Sequence, residues 1–363
     1  MKVTFRVDSS LQIGTGHVMR CLTLARELMA RGHEISFICR ELPGNIAGGL
    51  AQQGMQVYLL PPSQEQSWEE LNHHSSWLGV DWRTDAVQTS EAAASLRPDW
   101  LVVDHYALDY RWQQVLRPQV AKILVIDDLA DRNHACDLLL DQNLYVDSQE
   151  RYLGLVSEDT VRCLGPEYVL LRPEFREARQ GVRLKDGHIS KLGVFMGGSD
   201  VHNITLKVLM ALESLQDSRL QAEVILGSAN PHQGEVEEFC AGRPNLKVFV
   251  DVKDMAQRLL TTDLVIGAGG SSCWERCCLG VPSLLLSLEL NQQKVAADLQ
   301  ELGLAIYLGD GRAVTADQIK DKLNYVLAQP VMVAEMAARC LKVCDGTGAA
   351  KVAGLMEQII QQD

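Results

Sequence analysis

A glycine-rich loop leads directly into a helical pattern in the stretch Ile13-Gly14-Thr15-Gly16-His17-Val18-Met19-Arg20-Cys21. A short run of mostly apolar residues, 3–7, precedes this loop and predicts a β-strand. After His17, apolar residues recur at helical spacing, so one face of a helix is expected to point into a core. The sequence therefore predicts a strand, a sharp turn that Gly14 and Gly16 permit, and a helix that begins near His17.

His17 stands at the start of this predicted helix, and two roles are open for it. The free N–H groups and the dipole of a helix N-terminus favour an anion and keep a nearby imidazole neutral. A neutral imidazole beside an anionic substrate is a suitable general base. The alternative is that His17 caps the helix or contacts a phosphate. We predict that Gly14, Gly16 and Arg20 contact the same substrate.

The composition is typical of a globular protein of about two domains. The chain has 363 residues, of which 47% are hydrophobic and 22% are charged. Its net charge of −13 argues against nucleic acid or anionic lipid as a partner. It has no secretory leader pattern and no run of about 18 apolar residues. We therefore expect a cytoplasmic protein with no membrane span.

Ten cysteines in such a chain are expected to be reduced thiols. Cys273, Cys277 and Cys278 lie close together on a predicted helix and raise the question of a metal site. No CxxC pair supports that interpretation, and small buried thiols are common on packed helices. We expect neither a metal nor another cofactor.

The chain alternates short apolar runs with helical or polar segments. The runs that predict strands are 34–39, 55–60, 100–104, 123–127 and 137–141 in the first half, and 191–196, 222–226, 247–250, 263–266 and 283–288 in the second. Several of these runs end in Asp or Asn, at the carboxyl edge where parallel α/β sheets bind their ligands. The pattern predicts two doubly wound parallel sheets.

Two doubly wound α/β domains facing each other across a cleft are the expected architecture. The charged stretch 176–190 predicts a linker. The expected domains are residues 1–180 and 190–345, with a terminal helix at 346–363 that packs back on the first. The polar segment 63–97, which contains Trp68, Trp77 and Trp82, predicts only a short helix at 91–96.

Glycine and serine residues fill the loop between the predicted strand 263–266 and the next helix. Backbone N–H groups and hydroxyls of Gly269, Gly270, Ser271 and Ser272 are suited to bind a diphosphate. Glu275, one turn into the helix, is a good acceptor for two ribose hydroxyls. We therefore predict a nucleoside diphosphate site. The alternative is a plain turn followed by a helix-dipole Glu, and we interpret the neighbouring Arg276 as a surface or salt-bridge residue.

Two further loops are expected at the same edge of the second sheet. Gly198 and Ser199 follow the first strand of this domain, and Gly227 follows the second. We predict that all three contact the nucleotide. Asn291 and Gln292 open a later helix, where they reach either the substrate or the unpaired N–H groups of the helix.

The run Asp104-His105-Tyr106 ends a strand of the first domain and contains a second candidate base. It forms either part of the substrate site or a buried hydrogen-bonded network. Asp8, Asp127 and Asp128 end further strands, where they could orient His17, bind substrate hydroxyls or hold a metal.

Taken together, these residues resemble the UDP-2,4-diacetamido-2,4,6-trideoxy-β-L-altropyranose hydrolases of pseudaminic acid biosynthesis, a pathway of flagellin glycosylation. The matching runs cover most of the chain and are Arg6 to Ser10, Ile13 to Ala25, Val103 to Tyr106, Leu108-Asp109, Trp112, Asp127 to Ala130, Asp141 to Asn143, Leu171 to Phe175, Gly197 to Asp200 and Gly267 to Arg276. The family looks like a relative of the lipid II-forming N-acetylglucosaminyltransferase. The resemblance implies a glycosyltransferase-B fold, UDP on the C-terminal domain and His17 as the general base.

The chemistry of such a hydrolase agrees with these residues. UDP is a good leaving group whose developing charge amide dipoles can stabilise. A single base that deprotonates water opposite the diphosphate then gives inversion, unlike the two-carboxylate scheme of most glycosidases. We expect a monomer that acts on a small UDP-sugar. The alternatives are a glycosyltransferase with a sugar or lipid acceptor, and a nucleotide-sugar-binding protein without catalysis.

Overall fold

The computed structural model describes residues 1–62, 72–217 and 219–361, apart from the side chain of Asn291, and these residues form two compact units. Unit 1 contains Met1–Asn143, Asp147–Leu170 and Thr347–Asp363. Unit 2 contains Leu144–Val146 and Leu171–Gly346. The terminal helix thus belongs to the first unit, although it follows the second in the chain.

Unit 1 is built on a parallel sheet of seven strands among its described residues. In chain order the strands are β1 (Lys2–Val7), β2 (Glu34–Arg40), β3 (Gln56–Leu60), β4 (Trp100–Asp104), β5 (Lys122–Ile126), β6 (Leu138–Asp141) and β7 (Val161–Leu164). In space their order is β3-β2-β1-β4-β5-β6-β7. The central strands are buried throughout because helices cover both faces, which is why their sequences are continuously apolar.

The helices of unit 1 cover the two faces of this sheet. They are α1 (Gly16–Ala30), α2 (Ala47–Gln52), α3 (Trp82–Leu96), α4 (Tyr110–Leu116) and the C-terminal α13 (Gly348–Gln361). The predicted stripe on α1 is confirmed, since Val18, Cys21, Leu22, Ala25 and Leu28 are buried. Helix α13 packs beside α1 and buries Val352 and Met356 completely. The indole N–H of Trp100 donates to the Met356 carbonyl at 3.2 Å, which ties α13 to β4.

Unit 2 repeats the plan with six parallel strands in its described residues. They are β8 (Lys191–Phe195), β9 (Gln221–Leu226), β10 (Leu246–Val250), β11 (Leu264–Ala268), β12 (Ser283–Ser287) and β13 (Ile306–Asp310). Their spatial order is β10-β9-β8-β11-β12-β13. The helices are α5 (Pro173–Arg179), α6 (Ile204–Leu215), α7 (Gln233–Cys240), α8 (Met255–Leu260), α9 (Ser272–Cys278), α10 (Leu290–Glu301), α11 (Ala316–Leu327) and α12 (Pro330–Val343).

The predicted linker at 176–190 is wrong over its first residues, which end helix α5. Pro173 opens this helix, and Phe175 is fully buried on it. The guanidinium of Arg179 donates to the carbonyls of Cys278 and Leu341, so a charged side chain serves as an anchor within unit 2. The chain correspondingly passes from unit 1 into unit 2 after Leu170 and returns to unit 1 at Thr347.

The helix predicted at 91–96 is longer than expected and begins at Trp82. Asp81 caps it, because its carboxylate accepts a hydrogen bond from the Arg83 N–H at 2.8 Å. Trp68 lies outside the described residues. Within the part of the chain that is described, every helix is too short or too polar to span a bilayer.

Both sheets reverse their strand order at one place, and this positions the candidate sites. In unit 1 the chain moves outward from β1 to β3 and then returns to place β4 on the other side of β1. In unit 2, β11 lies beside β8 in the same way. The helices that follow the two strands at such a point diverge, so a crevice opens at the carboxyl ends of the strands, where α/β sheets bind ligands.

Candidate functional site

His17 and Asp104 meet at the reversal point of the first sheet. His17 lies in the first turn of α1, directly after the loop that follows β1, and Asp104 is the last residue of β4. Nδ1 of His17 is 2.7 Å from Oδ1 of Asp104. The guanidinium of Arg20 donates to both oxygens of the same carboxylate at 2.6 Å. Although burial raises the pKa of Asp104, the charges of Arg20 and His17 hold it well below its ordinary value.

This arrangement determines which nitrogen of His17 is free for chemistry. Arg20 Nη2 is also 3.2 Å from Nδ1 of His17, but a guanidinium can only donate. The ionised Asp104 can only accept, and it is closer, so the favoured tautomer carries its proton on Nδ1 and donates it to Asp104. Nε2 is then left with an available lone pair, as in a general base that a carboxylate orients.

Arg20 links this pair to a second carboxylate and to an aromatic wall. Its guanidinium donates to Asp128 at 3.2 Å, and the Tyr106 hydroxyl donates to the same carboxylate at 2.5 Å. The Tyr106 ring lies edge-on to His17 with centroids 4.7 Å apart. Trp77 stacks on Tyr106 at 5.5 Å and is itself edge-on to His17 at 6.1 Å. The imidazole therefore lies beside two aromatic rings that are nearly perpendicular to it.

His105 is buried and faces other partners than His17 does. Its Nδ1 accepts from the Ala107 N–H at 3.1 Å, and its Nε2 faces Asp8 at 3.4 Å. The side chain is only 2% exposed. Asp8 in turn pairs with the buried Arg6, so it does not orient His17. Asp104 and Tyr106 face His17, whereas His105 is buried against Asp8, and contact of these three residues with a substrate stays a prediction.

The loop that carries His17 is held by its own backbone. The Gly14 N–H donates to the Ser10 carbonyl at 2.9 Å, and Gly14 adopts a φ of 76° that favours glycine. Gly16 opens helix α1 with open space around it. Contact of Gly14, Gly16 and Arg20 with a substrate remains a prediction.

The glycine–serine loop of unit 2 presents several unpaired N–H groups. It connects β11 to α9 at the reversal point of the second sheet. Among the described residues, the backbone N–H groups of Gly270, Ser271 and Ser272 have no hydrogen-bond acceptor, whereas that of Gly269 donates to the Leu286 carbonyl. Three adjacent free donors and two hydroxyls form an arrangement suited to phosphate oxygens.

Glu275 lies one turn beyond this loop with its carboxylate partly exposed. The guanidinium of Arg172 donates to it at 3.3 Å and also pairs with Glu174 at 2.9 Å. Burial raises the pKa of Glu275, and the charge of Arg172 opposes that rise. Glu275 thus retains lone pairs that can accept hydrogen bonds from a ligand.

The other predicted nucleotide contacts gather at the same edge of the sheet. Gly198 and Gly227 touch backbone to backbone, since a Cβ on Gly227 would lie 2.1 Å from the Gly198 carbonyl oxygen. Ser199 is exposed beside them. Gln292 Oε1 accepts the N–H of Leu288, which precedes α10, at 3.0 Å, and its amide nitrogen lies next to Gly270. The side chain of Asn291 lies outside the described residues.

The interpretation of Arg276 as a surface or salt-bridge residue is wrong. Its side chain is buried, and its guanidinium donates into the loop, to the Ala268 carbonyl and to the Ser272 hydroxyl.

Sequence reasoning also left open the part that Trp77 plays. The dense aromatic and histidine content of the segment is a signal of a site, but only the tertiary contacts place it against His17.

Comparisons with known proteins agree on the fold. Residues 193–353 match the glycosyltransferase family 28 C-terminal domain. The structure resembles MurG of Acinetobacter baumannii with a TM-score of 0.68 at 15% identity, covering 98% of this chain and 99% of that one. It also resembles a UDP-GlcNAc 2-epimerase of Neisseria meningitidis, solved with UDP-GlcNAc, with a TM-score of 0.62 at 11% identity and coverage of 99% and 100%.

Two curated relatives align along most of the chain. The spore coat polysaccharide biosynthesis protein SpsG of Bacillus subtilis is 26% identical over 365 residues, which covers both chains completely. The UDP-2,4-diacetamido-2,4,6-trideoxy-β-L-altropyranose hydrolase of Campylobacter jejuni is 28% identical over 309 residues, or 84% of this chain and 98% of that one.

These findings define the class of protein. Two Rossmann-like parallel-sheet domains, with a family 28 match in the second, constitute the glycosyltransferase-B fold, and this prediction from the sequence is confirmed. The chain is related to proteins of that fold that process UDP-sugars.

Proposed function

We propose that this protein hydrolyses UDP-2,4-diacetamido-2,4,6-trideoxy-β-L-altrose to UDP and the free sugar, a step of pseudaminic acid biosynthesis. Water attacks the anomeric carbon, the bond from that carbon to the diphosphate oxygen breaks, and the configuration inverts. His17 takes the proton of the water, and UDP leaves with the electron pair of the broken bond.

The observation that carries this proposal is the His17–Asp104 pair. A neutral imidazole with Nδ1–H directed at an ionised carboxylate 2.7 Å away presents Nε2 as the proton acceptor. Asp104 also stabilises the imidazolium that forms when the proton is taken up. Hydrolysis with a diphosphate leaving group requires no second carboxylate, because the leaving group is already a weak base.

The nucleotide is assigned to unit 2. In the proposed complex, the free N–H groups of residues 270–272 bind the diphosphate, and Glu275 accepts the two ribose hydroxyls. Gly198, Ser199, Gly227 and Gly269 line the same edge of the sheet. Amide dipoles that are already oriented toward the diphosphate stabilise the charge that grows on UDP as the bond breaks.

The sugar is assigned from the Campylobacter jejuni relative, whose name specifies this substrate. Trp77 and Tyr106 beside His17 suit a sugar with apolar groups, since acetamido methyls and a 6-deoxy carbon pack on aromatic faces. The two aromatic rings beside His17 thus support an acylated deoxy sugar as the substrate over a fully hydroxylated sugar.

The test is incubation of the full-length protein with the UDP-sugar in ¹⁸O-labelled water and EDTA. Release of UDP with the label in the sugar is expected, because water attacks the anomeric carbon in the proposed mechanism. This result would identify cleavage at that carbon without a dissociable metal. Label in UDP would show attack at phosphorus and would overturn the proposed mechanism.

A glycosyltransferase is the second candidate, and the family 28 match favours it. Such an enzyme would use the same UDP-sugar and transfer the sugar to an alcohol instead of water. Turnover only after a sugar or lipid acceptor is added would identify it. A protein that binds the UDP-sugar and leaves it intact with every acceptor would instead be a binding protein.

A further inference from the structure

Arg276 lies directly behind the glycine–serine loop of unit 2. The residue is only 2% exposed. Its Nη2 donates to the Ala268 carbonyl at 2.9 Å, and its Nη1 donates to the Ser272 hydroxyl at 3.3 Å. Both acceptors belong to the turn that joins β11 to α9, so the guanidinium spans this turn from the protein side.

Arg276 forms no ion pair with a carboxylate in the described part of the chain, although its charge acts on the neighbouring Glu275. Among the residues that the structure describes, no carboxylate oxygen lies within 4.0 Å of its guanidinium, and Nε has no hydrogen-bond acceptor. The buried Arg6 and Arg40 differ, because both pair with Asp85. An unpaired buried charge is destabilising, since the protein interior does not replace the hydration that the charge loses.

The nearby acidic residues are engaged by other cations. Glu275, the preceding residue, faces Arg172, and Glu223 pairs with Lys191 and Arg258. The guanidinium instead borders a pocket that Ser272 and Glu275 also line. A bound anion would therefore supply the ion-pair partner that the described residues do not place against Arg276.

The strand leaves space for this cation beneath the loop. A Cβ on Gly267 would lie 2.9 Å from Nη1 of Arg276 and 2.7 Å from the Phe195 carbonyl oxygen. Any other residue at position 267 would thus collide with backbone on one side and displace the guanidinium on the other. The absence of a side chain at Gly267 is therefore what leaves room for the guanidinium of Arg276 next to the turn.

We propose that Arg276 is a positioning residue that holds the turn 268–272 from behind and supplies a positive charge that the diphosphate of bound UDP neutralises. The inference rests on the proposed function, in which this turn binds the diphosphate. In the reaction the same charge stabilises the negative charge that develops on UDP as it leaves.

The experiment compares UDP with uridine as ligands of the full-length protein by calorimetric titration. Arg276→Gln and Arg276→Met remove the charge, and Arg276→Lys keeps it. We expect the charge-free variants to bind UDP at least about 10-fold more weakly than wild type, in line with the loss of a charge-assisted interaction. Uridine carries no phosphate, so its Kd is expected to change less than about 2-fold.

Arg258→Gln is the matched control, because Arg258 lines the same pocket but pairs with Glu223 and Asp254. It is expected to leave the ratio of the two Kd values unchanged. Arg276→Lys is expected to keep most of the preference for UDP over uridine. If the charge-free variants do not fold, Arg276→Lys alone tests the proposal. Loss of the preference for UDP over uridine in Arg276→Lys would then overturn the proposal.

The remaining outcomes separate this inference from the proposed function. Wild-type protein that does not bind UDP would overturn the proposed function itself. Wild-type binding together with unchanged UDP affinity in folded Arg276→Met would overturn only the role of Arg276. Equal weakening of UDP and uridine would show a purely structural effect on the pocket and would likewise contradict the proposal.

Discussion

The carboxylate of Asp104 lies 2.7 Å from Nδ1 of His17, although 87 residues separate the two in the chain. They meet because β1 and β4 are neighbours in the sheet, with Val7 opposite Asp104 in the register. His17 starts the helix after β1, so the reversal of strand order brings its imidazole to the end of β4. The pair is thus a direct product of sheet topology.

Replacing His17 by Gln is expected to lower kcat by about 10²–10⁴-fold, because the base that deprotonates water is lost. The Kd of UDP should stay within about 3-fold of wild type, since the nucleotide is assigned to unit 2. Steady-state kinetics and calorimetric titration measure the two quantities. His33→Gln is a control of the same type, because His33 also faces a carboxylate, that of Glu357, at 2.8 Å. Activity that survived in His17→Gln would disprove the assignment of the base.

Asp104→Asn is expected to reduce kcat by roughly 10²-fold or more, because the imidazole then loses the acceptor that selects its tautomer. KM should change little, since Asp104 acts through His17. Partial recovery of kcat in Asp104→Glu, with the Tm of both variants recorded, distinguishes this effect from a loss of folding. An Asn variant with wild-type kcat would show that the pair has no role in catalysis.

Glu275→Gln is expected to weaken UDP binding by about 10-fold, the usual effect of losing a hydrogen bond to a charged group. The loss should be smaller for 2′-deoxy-UDP, which has one ribose hydroxyl fewer. Because burial raises the pKa of Glu275, wild-type affinity should fall as the pH is lowered toward that pKa, and the Gln variant should lack this fall. Glu174→Gln, which removes the other partner of Arg172, is the control and should leave both affinities unchanged. Equal effects on the two nucleotides would contradict the ribose contact.

Asp141 predicts a specific pH dependence of stability. Burial, followed by the charge of Asp128, raises its pKa to about 8 from an ordinary value of 3.8. Between these values the folded protein binds one proton more than the unfolded chain at this group, so its contribution to the free energy of unfolding falls as pH rises. Asp141→Asn should therefore gain stability relative to wild type between pH 5 and pH 9. We expect a gain of about 1 kcal/mol or more, or about 2–4 °C in Tm. A difference in Tm that is constant over this pH range would contradict the assignment.

Helix α13 is expected to be essential for the stability of unit 1. Met356 is fully buried on it, so Met356→Ala should lower the free energy of unfolding by about 2–5 kcal/mol. Met29→Ala on α1 is the control, because Met29 is 41% exposed and should cost well under 1 kcal/mol. Chemical denaturation measures both values. Similar values for the two variants would show that α13 contributes little to the core.

Much of the fold could be predicted because local patterns and global structure agree. The continuously apolar runs at 100–104 and 283–288 are strands buried on both faces, and the glycine loops before Gly16 and Ser272 do lead into helices. The stretch 176–190 was harder to interpret, because charged residues such as Arg179 are typical of linkers. Their hydrogen bonds to distant carbonyls become visible only in the folded unit.

Periodicity and glycine placement were sufficient to predict two doubly wound sheets, helix α1 with His17 in its first turn and a glycine–serine loop before α9, since each depends on residues within one turn or one strand. The roles of Asp104, His105 and Arg276 required the tertiary structure. Asp104 ends β4 and His105 follows it in the chain, yet Asp104 faces His17 whereas His105 faces the buried Asp8. Arg276 looks like a surface cation in the sequence, and only packing shows that it is buried without a carboxylate. Burial and partner choice depend on residues that are far apart in the chain, and no local pattern encodes them.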